Sequence, residues 1–210
     1  MTDIELQASL RRASARLLIP VLVFFPMIFN PIIVGFYDPT KSEADLLAFR
    51  EEHWLAIRLL FTGIGVSFVV MGLALRTWGR QLASLSPGRS TALAGAAGWA
   101  AVAGGVLSLM AYGSVWLWTP AELAEFLDSA VGTMVFVVAW IPLSGAFVLL
   151  GILTFQLRSP RWLGVVLPLI AVLPFATLLP LWFFVGAVVA GITGLIRYRT
   201  GSNTGVTAAA

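Results

Sequence analysis

Apolar residues in this chain come in blocks about as long as a bilayer is thick, and that pattern fixes most of what it can fold into. A helix rises 1.5 Å per residue, so roughly 20 apolar residues cross a hydrocarbon core of about 30 Å. Six such blocks occur, at about 17–37, 54–75, 92–118, 131–155, 162–178 and 181–197. Charged residues make up 11% of the 210 residues, against about 25% in an ordinary soluble domain. The expected architecture is an all-α membrane protein, a six-transmembrane-helix bundle over residues 17–199. A cytoplasmic amphipathic segment at 1–16 precedes it and a disordered cytoplasmic tail at 200–210 follows.

Two blocks need a decision. Leu17 to Phe29 has the length of a signal-peptide core, but no small-x-small cleavage pattern follows and the apolar run continues through NPIIVGFY. It reads as a retained first transmembrane helix. Residues 162–197 form one apolar run of roughly 54 Å as a single helix, so a hairpin turning near Thr177–Pro180 is required.

Charge places the ends. With the N-terminus inside, Arg11, Arg12, Arg16, Arg76, Arg80, Arg89, Arg158, Arg161, Arg197 and Arg199 fall in cytoplasmic segments, and Lys41, Arg50 and Arg58 fall outside. Short loops are where the positive-inside rule operates. A five-helix chain would put Arg197 and Arg199 on the wrong side. Trp54, Trp78, Trp116, Trp118, Trp162 and Trp182 lie at predicted helix ends, the headgroup level that indole rings favour. Trp99 and Trp140 lie deeper and are expected to pack between helices, or to wall an aromatic ligand.

The outer loops carry the acidic residues and helix-start signals. Ser42 precedes Asp45 by three, and Thr119 precedes Glu122 by three with Pro120 between. Each loop should form a short amphipathic helix near the outer surface. Inside, Thr2 and Glu5 cap a segment that places Leu6, Leu10, Ala13 and Leu17 on one side. SEADLLAF at 42–49 matches TPAELAEF at 119–126 over S/T-x-A-D/E-L-x-x-F. SAR at 14–16, SPGR at 86–89 and SPR at 159–161 also echo one another. Three repeated helical hairpins, the third without its outer loop, would explain both patterns. Capping signals and inside arginines that recur independently would explain them equally.

Chemistry is sparse. No Asp, Glu, Lys or His lies inside a predicted span, which disfavours proton-coupled transport. Arg58 is the one ionisable candidate, close enough to snorkel outward or to pair with Glu51, Glu52 or Asp128. The only histidine, His53, sits beside Trp54, and the chain has no cysteine. Ser67, Ser108 and Ser144 lack a base at depth. No catalytic residue, cofactor or metal site is expected, and the chain is not expected to be an enzyme. The basic residues form no run or aromatic-interleaved stripe, so no nucleic-acid partner is expected.

FFPMIFNPII at 24–33 sets two prolines and Asn30 in an apolar run. Pro20, Pro26 and Pro31 are matched by Pro168, Pro174 and Pro180 near the fifth block. Two readings stay open. The prolines kink a packing helix, with Asn30 bonding to another helix or to a freed carbonyl. Alternatively they open a ligand pocket formed by Asn30, Tyr112 and Trp140. Small residues at four-residue spacing, Gly186, Ala190 and Gly194, and likewise Ala97, Ala101 and Gly105, mark close-packing faces. So do Ala100, Gly104 and Ser108 beside the second set. Such faces serve either the bundle itself or a partner.

RSPRWLG at 158–164, with the proline-rich apolar pair and the short Arg-ended tail that follow, resembles a widespread group of uncharacterised bacterial membrane proteins. Those are small six-helix integral proteins, many known only as domains of unknown function. The likeness covers about residues 92–199, implies no activity and carries no catalytic residues. The sequence thus predicts a multi-pass protein of a bacterial inner membrane with both termini cytoplasmic. Its basic edge favours anionic lipid headgroups. It would serve as a structural or interaction component, with a membrane-protein partner or as a homo-oligomer. The alternative is a small carrier or sensor of a neutral hydrophobic or lipid-like molecule.

Overall fold

The computed structural model describes residues 3–86, 88–157 and 160–198, with backbone alone for Asp3 and Arg89. The tail expected at 200–210 and the Thr2 cap lie outside these residues. The order is α1 (Asp3–Arg16), α2 (Ile19–Ile28), α3 (Pro31–Phe36), α4 (Glu43–Glu52), α5 (Trp54–Ala83) and α6 (Arg89–Gly113). A 3-10 turn (Ser114–Leu117) follows, then α7 (Pro120–Asp128), α8 (Ala130–Gln156), α9 (Leu163–Thr177) and α10 (Leu181–Arg197). No strand occurs among the described residues. Three helices, Trp54–Ala83, Ser90–Leu117 and Ala130–Gln156, are long and apolar enough to cross a membrane. Large apolar side chains such as Leu59, Val106, Met110, Ile141, Leu169 and Val172 face outward. In water such a surface would aggregate; against lipid tails it is solvated. This is a membrane protein.

The first apolar block is two helices rather than one. Pro20 starts α2, Pro31 starts α3, and between them Asn30 is extended (φ −62°, ψ 135°). Its side-chain oxygen accepts the Ile32 N–H at 3.0 Å. Asn30 therefore satisfies its own chain, not another helix, because the amide can reach an orphan donor two residues on. Prolines in the first turn of each piece, second in α2 and first in α3, cost no helical hydrogen bond. Pro26 alone lies inside α2.

Glycines set the register of the long helices. A methyl on Gly72 would sit 2.9 Å from the Ala101 carbonyl carbon, and one on Gly105 would sit 2.7 Å from the Phe68 oxygen. Gly104 meets the Leu143 backbone in the same way, and Gly151 meets Pro168. Contact at backbone distance is what holds helices together when lipid competes for every apolar side chain. The main core fills the space between helices with Phe24, Phe68, Phe147, Phe183 and Phe184, all fully buried.

A smaller cluster seals the end of the bundle that carries α4 and α7. Ile33, Phe36, Ile57, Phe61, Val115 and Leu123 pack together there. Helices α4 and α7 are both capped as their spacing predicts. Ser42 accepts the Asp45 N–H, and Thr119 and Glu122 form a reciprocal capping box. The Glu122 carboxylate accepts the Thr119 N–H and then its hydroxyl, which holds its pKa below the usual carboxylate range. The two helices dock differently. Phe49 of α4 covers Gly35, whereas Phe126 of α7 stacks on Trp118.

At the opposite end of the bundle α1 does not lie free. Leu10, Ala13, Ser14 and Leu17 are buried, while Arg11, Arg12 and Arg16 are exposed. Its buried face seats on α10, where Gly191 meets the Ser14 carbonyl and Leu17, and Gly194 meets the Ser14 side chain. Ser9 Oγ donates to Gln81 Oε1 of α5 at 3.0 Å.

Candidate functional site

One cavity of about 750 Å³ lies in the half of the bundle nearer α4 and α7, between α3, α5, α6, α8 and the turn joining α9 to α10. Two features of the chain create it. The break at Asn30 lets α3 set off afresh from α2, presenting Ile33 and Val34 to the cavity. The second is that α9 is short while α8 is long, so Thr133, Phe136, Val137 and Trp140 of α8 extend past the turn Leu178–Pro180. A volume near the middle of the roughly 300–1,000 Å³ range for small-molecule sites can hold a lipid-like ligand.

Tyr112 and Trp140, both anticipated as pocket residues, line the cavity. Tyr112 stacks on Phe68 at 5.7 Å and contacts Phe136 at 5.0 Å. Trp140 is 4% exposed and meets Phe183 edge-on at 6.5 Å. Its Nε1–H, like the Ser144 hydroxyl on the same helix, is a buried group without a protein partner. Asn30 is not in the lining; it acts on the cavity only by starting α3. Polar groups are few: Tyr37, Asp38, Tyr112, Thr133 and the Trp140 Nε1–H. Asp38 accepts the hydroxyl and N–H of Thr40, side chain first in weight, and its pKa is lowered accordingly. This is a site for apolar surface, with no acid–base pair.

Asn30→Ala therefore tests a cap. It should lower stability by about 1 kcal/mol, while Asn30→Ser, which keeps a capping oxygen, should cost only a few tenths. Denaturant titration in detergent micelles measures both; equal costs would exclude the capping role.

Other anticipated groups lie elsewhere. Arg58 pairs with no carboxylate among the described residues. It donates to the Trp118 carbonyl at 3.0 Å and stacks between Trp54 and Trp116 at 4.7 and 5.3 Å. The acidic side chains belong to helices that face the aqueous side, whereas aromatic faces surround Arg58 directly. Trp99 is 64% exposed, not packed between helices, and lies over the Arg76 guanidinium at 4.4 Å. His53 stacks on Phe49 at 4.4 Å, and its Nδ1 lies 3.0 Å from the Phe49 carbonyl. Among the described residues no group of three acidic, His or Cys side chains could hold a metal. Ser67 donates to the Ile64 carbonyl, and Ser108 is buried without a partner.

The small-residue faces point into the bundle. Gly186 meets Phe147 and Ile170, Gly194 meets Ser14, and Gly105 meets Phe68. Ala97, Ala101 and Ala190 are buried. Phe61, Ile64, Phe136, Val137 and the Leu178–Leu179 pair are lining residues that sequence reasoning missed. Their only advance signal was the mismatch in length between the fourth block and the fifth. Comparison with protein-family models, with curated proteins and with solved structures found no match to this chain.

Proposed function

We propose that this chain is a carrier or sensor of a neutral, lipid-like molecule in a bacterial inner membrane, held in the cavity around Tyr112 and Trp140. The observation that carries this reading is an apolar space of about 750 Å³ in a bundle whose long helices meet at backbone contact. Apolar walls of that extent gain many dispersion contacts from an apolar occupant. An interaction component is the weaker alternative, because the small-residue faces that would seat a partner helix are taken up within the chain.

The orientation follows from charge. Arg11, Arg12, Arg16, Arg80, Arg161 and Arg197 are exposed at one end, suited to anionic headgroups of the cytoplasmic leaflet. An even number of passes, six if α9 and α10 both cross, leaves both termini on that side. Because the chain lacks cysteine, single variants report it directly. Ser42→Cys and Ser129→Cys should react with a membrane-impermeant maleimide from outside, and Ser86→Cys only after permeabilisation. Reversal of that pattern would invert the protein.

Native mass spectrometry from nanodiscs of its own membranes tests the ligand. Wild-type protein should carry a small-molecule mass, and Val137→Trp, which fills the cavity, should lose it while remaining monodisperse. A retained second protein, equal in both, would replace this reading with the interaction one.

A further inference from the structure

We infer that α9 and α10 form a re-entrant hairpin whose turn lies inside the membrane, and that the cavity above it opens sideways to the outer leaflet and takes a lipid acyl tail. The occupant rests on the ligand reading above; the hairpin does not.

Helix register sets the depth of the turn. Gly151 meets Pro168 and Gly164 meets Phe155. That pairing brings Thr177, the last residue of α9, to about the level of Pro142 in α8. From there α8 continues to Ala130, about 12 residues and roughly 18 Å further outward. The inner boundary points the same way. Gly191 of α10 touches α1 at Ser14 and Leu17, and α10 ends further on at the exposed Arg197. From Arg197 to Leu181 α10 rises about 24 Å, still short of a core of about 30 Å.

The turn is built for a dry place. It reads Leu178–Leu179–Pro180, with no polar side chain, and Leu178 holds a left-handed φ of 54° where glycine or asparagine is usual. Thr177 satisfies what water otherwise would. Its hydroxyl donates to the Leu173 carbonyl at 2.8 Å and accepts from Leu179 N–H at 3.3 Å and Trp182 Nε1–H at 3.0 Å. Non-helical backbone at membrane depth persists only where its polar groups are satisfied or border a cavity, and here both hold. Val34 on one side of the opening and Leu178 and Leu179 on the other are more than half exposed. An apolar mouth at that depth faces lipid tails.

Nitroxide labels on L178C, I141C and V131C measure this in reconstituted vesicles. The label on L178C should match I141C in its ratio of oxygen to nickel-chelate collisions and differ several-fold from V131C at the outer end of α8. L179C repeats the measurement should L178C fail to fold. A label at 178 or 179 that behaves like V131C overturns the hairpin. For the occupant, a benzophenone amino acid at Val34 should yield, on irradiation, an adduct with the mass of a membrane phospholipid. A buried label with only a non-lipid adduct, or none, overturns the acyl tail; loss of every retained mass would instead defeat the ligand reading itself.

Discussion

Gly72→Leu should prevent the bundle from assembling. The position lies midway along the α5–α6 contact, where an added Cβ meets the Ala101 carbonyl and lies 3.2 Å from Val102 Cα. Both obstacles are backbone, so neither can rotate away. Relief requires the two helices to separate, and separation undoes Gly65 on Leu109 and Gly105 on Phe68, which share the same register. Overpacking a tight core costs about 1–3 kcal/mol where side chains can yield; a rigid carbonyl leaves less room, and Gly72→Ala should already reach that range. The Leu variant should give aggregated protein on detergent size-exclusion chromatography. Gly95→Ala is the control, since nothing lies within 4 Å of its added Cβ. It should match or exceed wild type by up to about 1 kcal/mol, as a helical glycine replaced by alanine does. Equal behaviour of Gly72→Ala and Gly95→Ala in thermal unfolding would show that α5 and α6 do not meet as described.

Legibility in the sequence followed the scale of the interaction. The three long helices were readable because hydropathy and length act locally, and the turn expected at Thr177–Pro180 is where α9 gives way to α10, whereas the first block breaks into α2 and α3. Caps were readable too, since Ser42 and Thr119 need only a donor three residues on. Depth and direction were not. Trp99 lies far from any apparent helix end in the sequence, yet α6 begins at Arg89 and its inner part runs beside Arg76, which its exposed ring covers. The burial of α1 depended on Gly191 and Gly194, about 180 residues away along the chain. Tyr112 and Trp140 are aromatic rings with a polar handle, which stand out in an otherwise apolar helix. Phe136 and Val137, beside them in the cavity, look like any other apolar residues of a helix. A cavity is a property of mismatched helix lengths, and no single residue announces it.

Phe68→Ala should be the most costly truncation in the core. The ring is fully buried and touches four others: Phe24 at 6.2 Å, Phe184 at 5.1 Å, Phe183 at 6.4 Å and Tyr112 at 5.7 Å. Phe24 and Phe184 themselves stack at 3.7 Å, so α2, α5 and α10 are joined through one aromatic group. In a soluble core, Phe→Ala costs about 3–5 kcal/mol, part of it lost transfer from water. Lipid is as apolar as the core, so that part is largely missing here and the cavity and dispersion terms remain. The expected loss is therefore about 2–3 kcal/mol, with Phe68→Leu nearer 1 because most of the volume is kept. Phe184→Ala combined with Phe68→Ala should cost less than the two separately, since the second removal enlarges a space the first has opened. Tyr112 links this cluster to the ligand cavity, so Phe68→Ala should also weaken retention of the bound molecule, whereas Phe147→Ala, whose ring lies against Phe183 at 5.8 Å, should lower stability and leave retention intact. Reversible unfolding in mixed micelles gives the stabilities, and native mass spectrometry on the same variants gives the retention. Additive costs for positions 68 and 184, with retention unchanged, would mean that the aromatic cluster packs the bundle without shaping the site.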